Sequence, residues 1–111
     1  MNSTRHISSK ITRKTLGDIE KITGGPLTLG KLLWAIRRSE DKSQVDFAKQ
    51  LHISKQHLCD IEHERKSISP KLAAEYAIKL GYYEKQFIRL ALQDELDKAG
   101  LPFQVEIRKA A

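Results

Sequence analysis

One cysteine in 111 residues leaves no internal disulfide to be drawn. A lone thiol suits a reducing compartment, so a cytoplasmic location is expected. Three prolines interrupt the chain, and the helix formers Leu, Lys, Glu, Ala, Gln and Arg dominate it. No run approaches the roughly 18 apolar residues that a membrane span needs. No apolar segment of the signal-peptide kind follows Met1. Internal repeats and low-complexity tracts are missing too. There is no glycine-rich phosphate loop, no quartet of metal ligands and no nucleophile pattern, which argues against an enzyme. His6, His52, His57 and His63 make no triad with Cys59. Cys59 and His63 fall on one face of one predicted helix, but two ligands are too few for a structural zinc site. No metal or other cofactor is expected.

What is present suits a single soluble domain: 40% hydrophobic and 31% charged residues, with a net charge of +6. A basic balance favours a polyanionic partner. The charge is uneven. Arg5, Lys10, Arg13, Lys14 and Lys21 against Asp18 and Glu20 give residues 1–21 a net of +3. Residues 42–66 hold five basic and four acidic side chains, a net of +1. Part of any non-specific attraction is therefore expected from the N-terminal arm.

The stretch 43–66 organises the chain. Ser43 and Ser54 each stand before a helical pattern, where a hydroxyl can cap free N–H groups. Phe47, Ala48 and Leu51 make the apolar stripe of the first pattern. Leu58 and Ile61 make that of the second, and Ile53 fills the corner between them. Two short helices meeting steeply over a tight turn form a helix-turn-helix.

These residues resemble the helix-turn-helix of the XRE (Cro/CI phage-repressor-like) family. Ser43, Gln44, Phe47, Ala48, Leu51, Ile53, Ser54, Leu58, Ile61 and Glu62 fall in register with its pattern. His52 and Glu64 stand where the family has glycine. With supporting helices the likeness spans residues 27–92. It implies an all-α, five-helix lambda-repressor-like DNA-binding domain. It also implies that Arg37, late in the first helix, pairs with Glu62.

Around this motif the chain divides into residues 1–26, 27–98 and 99–111. Residues 11–22 carry Ile11, Leu16, Ile19 and Ile22 and can form a short helix, which residues 23–26 stop. That segment could dock on the domain, reach an adjacent groove as a basic arm, or hold a protein partner. Leu29, Leu32, Leu33 and Ile36 make an amphipathic stripe behind Thr28. Trp34 lies off its centre, as a partly buried support. Ser69 and Pro70 restart the helix after the motif, with Leu72, Ala73, Tyr76, Ala77 and Leu80 inward and Gly81 at its end. A last helix is expected over 83–98, with more apolar surface than one face needs, which suggests a subunit contact. Phe103, Val105 and Ile107 alternate with polar residues, the period of a short β-strand. Such a strand needs a partner, and the same strand of a second subunit is one candidate.

The second motif helix, 54–63, is expected to enter the major groove. Lys55, Gln56, Cys59 and Asp60 lie opposite its buried side, with His57 nearby. Gln56 can bond N6 and N7 of adenine, and Lys55 can donate to guanine or to a phosphate. Asp60 could accept from a cytosine amino group, or orient Lys55 or Gln56. The resemblance places base contacts on Lys55, Gln56 and Asp60, and a backbone contact on Gln44. Ser43 and Ser54 offer hydroxyls and helix N-terminal amides to phosphates. Arg65 and Lys66 follow where the backbone should pass. Cys59 is either a small groove residue or a redox-sensitive one.

The expected function is a sequence-specific repressor that binds a palindromic double-stranded operator as a homodimer. Likeness to the family's antitoxin members, of the HigA and HipB types, implies a toxin protein as a further partner. The alternative is a protein-interaction module, in which residues 11–22 or 103–107 hold a partner and the motif serves as scaffold.

Overall fold

The structure, a computed structural model, describes residues 27–110, and these are all-α. Five helices follow one another: α1 (Leu29–Ser39), α2 (Gln44–Leu51), α3 (Lys55–Glu62), α4 (Pro70–Leu80) and α5 (Glu84–Lys98). None of them is long and apolar enough to cross a membrane. The expected arm or helix within residues 1–26 lies outside the described residues.

Four helices begin on a hydroxyl. Thr28, Ser43, Ser54 and Ser69 accept the backbone N–H groups of Lys31, Asp46, His57 and Leu72 at 3.0–3.2 Å. Each bond satisfies a donor that the helix cannot use itself, an effect of about 1 kcal/mol. α5 starts at Tyr83 without a side-chain cap.

All five helices end in the same way. A residue with positive φ follows the last turn, and the next N–H reaches back five residues. The pairs are Lys42 to Arg37, Ile53 to Ala48, Arg65 to Asp60, Tyr82 to Ala77 and Leu101 to Leu96. This closure satisfies carbonyls that the helix leaves open. Glycine supplies the left-handed residue only at Gly81 and Gly100; Asp41, His52 and Glu64 supply the others, at φ 55°, 61° and 61°. So the two motif corners without glycine still take the left-handed shape.

The core is one cluster. Leu29, Leu32, Leu33 and Ile36 of α1 meet Phe47 and Leu51 of α2 and Leu58 and Ile61 of α3. Tyr76 and Ala77 of α4, with Phe87 and Leu90 of α5, complete it. Ile53 and Leu72 are half-buried against it. α5 packs along α4 and reaches back to α1. α3 sits at the edge with its Leu58 side inward and its Lys55 side in solvent.

The expected β-strand over 103–107 is not found; no strand occurs among the described residues. The alternation is real, but its neighbour is a side chain. Gln93 Nε2 donates to the Phe103 carbonyl and Gln93 Oε1 accepts from the Val105 N–H, each at 2.8 Å. A single amide holds the segment against α5 without forming a ladder.

Candidate nucleic-acid interface

The orientation of α3 is set at its C-terminal end. Glu62 is buried, with 1% of its side chain exposed. Its Oε2 accepts Arg37 Nε at 2.7 Å and its Oε1 accepts Arg37 Nη2 at 3.1 Å. This is the two-bond fork that guanidinium and carboxylate geometry favours. Glu62 Oε1 also accepts Gln44 Nε2 at 3.0 Å. Arg37 Nη1 donates to the Lys42 carbonyl at 3.0 Å, in the connection between α1 and α2. One carboxylate thus ties α1, α2 and α3. Burial without such partners would be costly, so the bonds are specific to this arrangement.

From this anchor α3 runs outward to its exposed N-terminus. Lys55 and Gln56 are exposed, while His57, Cys59 and Asp60 are half-buried. Asp60 Oδ1 accepts Gln56 Nε2 at 3.0 Å and Arg65 Nε at 2.9 Å. The Arg65 bond holds the Asp60 carboxyl below the usual carboxylate range, and the same contact raises Arg65. Asp60 therefore orients Gln56, one of the two partners read as alternatives from the sequence, and it also holds Arg65. Its charge is offset by that guanidinium. Gln56 keeps its carbonyl oxygen and one N–H, the pair a base edge would need.

Ser43 and Ser54 lie exposed at the starts of α2 and α3. Each hydroxyl oxygen accepts inside its own helix, which leaves the O–H hydrogen to donate outward. Gln44 gives one N–H to Glu62 and retains the other. Lys66 is exposed beyond α3. Cys59 Sγ lies 3.5 Å from His63 Nδ1 and from Arg65 Nη2. No group of three or more metal-ligating side chains occurs among the described residues.

The motif pattern missed two basic residues that flank Ser43. Arg38 and Lys42 border a hollow of about 310 Å³ with Arg37, Asp41 and Ser43. The Arg38 guanidinium lies 5.5 Å from the half-buried Trp34 ring, a cation–π contact. Lys42 pairs with Glu40 at 3.2 Å. The signal was Arg38 and Lys42 themselves, basic residues separated by Ser39, Glu40 and Asp41 just before Ser43 and outside the motif.

Comparison with protein-family models, curated proteins and solved structures finds no match to this chain.

Proposed function

We propose that this chain is a sequence-specific DNA-binding regulator of the lambda-repressor-like kind. In this reading α2 and α3 form a helix-turn-helix and α3 enters the major groove. The observation that carries it is the division of α3. Glu62 fixes one end in the domain, while Lys55 and Gln56 stand exposed at the other with free donor and acceptor capacity. Gln56 and Lys55 would read base edges, with Asp60 holding Gln56 in place. Ser43, Gln44, Ser54, Arg65 and Lys66, together with Arg38, would meet phosphates and fix the register. A cytoplasmic homodimer on a palindromic operator completes the proposal, because paired helices one helical turn apart match a two-fold site.

The test is binding to the protein's own promoter against random DNA of equal length, at two salt concentrations. A preference that survives higher salt supports the reading. Weak binding that disappears equally from both DNAs shows only charge at work and overturns it. The narrower antitoxin role is tested by co-purification with the product of the adjacent reading frame.

A further inference from the structure

Trp34 is half-buried on α1, and its polar end is unused. The Arg38 guanidinium lies over the ring, but the indole N–H makes no hydrogen bond among the described residues. A tryptophan N–H in partly apolar surroundings usually finds an acceptor. The ring borders a hollow of about 430 Å³. Gln44, at the first turn of α2, borders the same hollow and has one N–H left after its bond to Glu62. Two uncommitted neutral donors therefore meet one hollow beside the start of α2. Leaving His63 aside, the ionic groups around it balance: Lys31 and Arg37 stand against Glu62 and Glu64. The hollow thus offers N–H groups and an aromatic surface, with no net charge. Arg37 also lines the basic hollow beside Ser43, so the two hollows are neighbours.

We propose that the Trp34 hollow takes the sugar–phosphate backbone of one nucleotide of duplex DNA, next to the phosphate met at Ser43. The proposal rests on the DNA-binding reading above and extends its footprint onto α1. A phosphate oxygen accepts the indole N–H and the spare Gln44 N–H, and the deoxyribose C–H groups pack on the indole. Continuity favours this occupant. Successive nucleotides of one strand advance about 3.4 Å along the duplex axis, so a strand that crosses Ser43 and the basic hollow runs on into its neighbour. Unpaired donors also suit a group that only accepts, and a phosphodiester is such a group. The contact is to backbone, so it adds affinity on any sequence. Its donors are neutral, so it adds little to the salt dependence that charged side chains create.

Trp34 is the only tryptophan, so tryptophan fluorescence reports on this hollow alone. The full chain is titrated with its promoter fragment and with random duplex DNA at low salt, and acrylamide quenching is measured before and at saturation. Saturation with either DNA should reduce the quenching constant severalfold. Trp34→Phe keeps an aromatic ring and deletes the donor. It should weaken binding to both DNAs about two- to tenfold, with the same slope of affinity against salt and unchanged helical circular dichroism. Methylphosphonates placed one at a time in the promoter fragment locate the contact. At one phosphate the substitution should cost the parent more than it costs Trp34→Phe. An indole as open to acrylamide in the saturated complex as in the free chain overturns the proposal and leaves the DNA reading standing. A Trp34→Phe chain that binds both DNAs as tightly as the parent does the same. A chain that binds neither DNA overturns both.

Discussion

A Cβ built on Gly30 would sit 2.3 Å from the carbonyl oxygen of Ile61. That contact is backbone, so it cannot swing aside. The first turn of α1 therefore approaches the end of α3 as closely as the missing side chain allows. Gly30→Ala gains helix propensity of about 1 kcal/mol. It must also separate α1 from α3, and overpacking of this kind costs about 1–3 kcal/mol. The expected outcome is a net loss of up to about 2 kcal/mol in urea unfolding. A stabilised variant would show that the two helices part without cost.

His52 and Glu64 hold left-handed backbone at φ 61°. A side chain in that region costs about 1–2 kcal/mol, and glycine escapes most of it. Glycine also gains freedom in the unfolded chain, which offsets part of the benefit. His52→Gly and Glu64→Gly should each raise stability by about 0.5–1 kcal/mol, measured by thermal and urea unfolding. Equal or lower stability in both variants would mean that these side chains contribute more than their backbone strain costs.

Asp94 accepts the Leu29 N–H at 3.4 Å at the start of α1, and its pKa is raised to about 6. Burial is the main cause; Glu64 and Asp97 add to it, while the Leu29 N–H and Lys98 oppose it. The folded chain then binds this proton more tightly than the unfolded one. Its contribution is fully present below about pH 4 and is lost as pH rises through about 6. Asp94→Asn removes the charge and keeps an acceptor for Leu29. After allowance for solvent screening, it should stabilise the protein by about 1 kcal/mol at pH 8 and have little effect at pH 4. Unfolding curves at the two pH values check this, and a difference that does not change with pH would refute it.

Gln56 and Gln44 should separate reading from holding. Gln56→Ala is expected to weaken operator binding by about 1–3 kcal/mol and to relax preference at one base pair. Gln44→Ala should weaken all sequences alike. Asp60→Asn keeps a neutral acceptor for Gln56 but releases Arg65, so its effect should lie nearer to that of Gln44→Ala. Titrations on operator and random DNA give the ratio for each variant. An equal loss on both DNAs for Gln56→Ala would remove it from the reading surface.

Much of the helical framework was legible because its causes are local. Thr28, Ser43, Ser54 and Ser69 announce four helix starts, and the stripe from Leu29 to Ile36 announces what α1 buries. The closing turns were less legible. Gly81 marks one, but Asp41, at φ 55°, carries only the weak preference that aspartate has for left-handed backbone. Contacts between distant residues leave little local trace. Nothing beside Gly30 shows that Ile61 will lie against it. Arg37 was joined to Glu62 only through a family resemblance, and the third partner, Gln44, was read as a phosphate contact alone. The strand expected over 103–107 rested on alternation. That pattern requires a hydrogen-bonding neighbour but does not say whether the neighbour is a strand or the amide of Gln93. Asp60 was similarly underdetermined, because Arg65 comes within reach only after the chain turns at Glu64.

The anchoring of α3 through Glu62 has a consequence for variation. The bonds from Arg37 and Gln44 converge on its last residue. At the other end, Gln56 bonds to Asp60 within the same helix, and Lys55 stands in solvent. Positions 55 and 56 can therefore be randomised together with little loss of folded protein. Position 62 cannot, since three helices depend on it. A library confined to the free end would explore new surfaces on an unchanged frame, and a chain built in this way can change what it binds faster than it changes its shape.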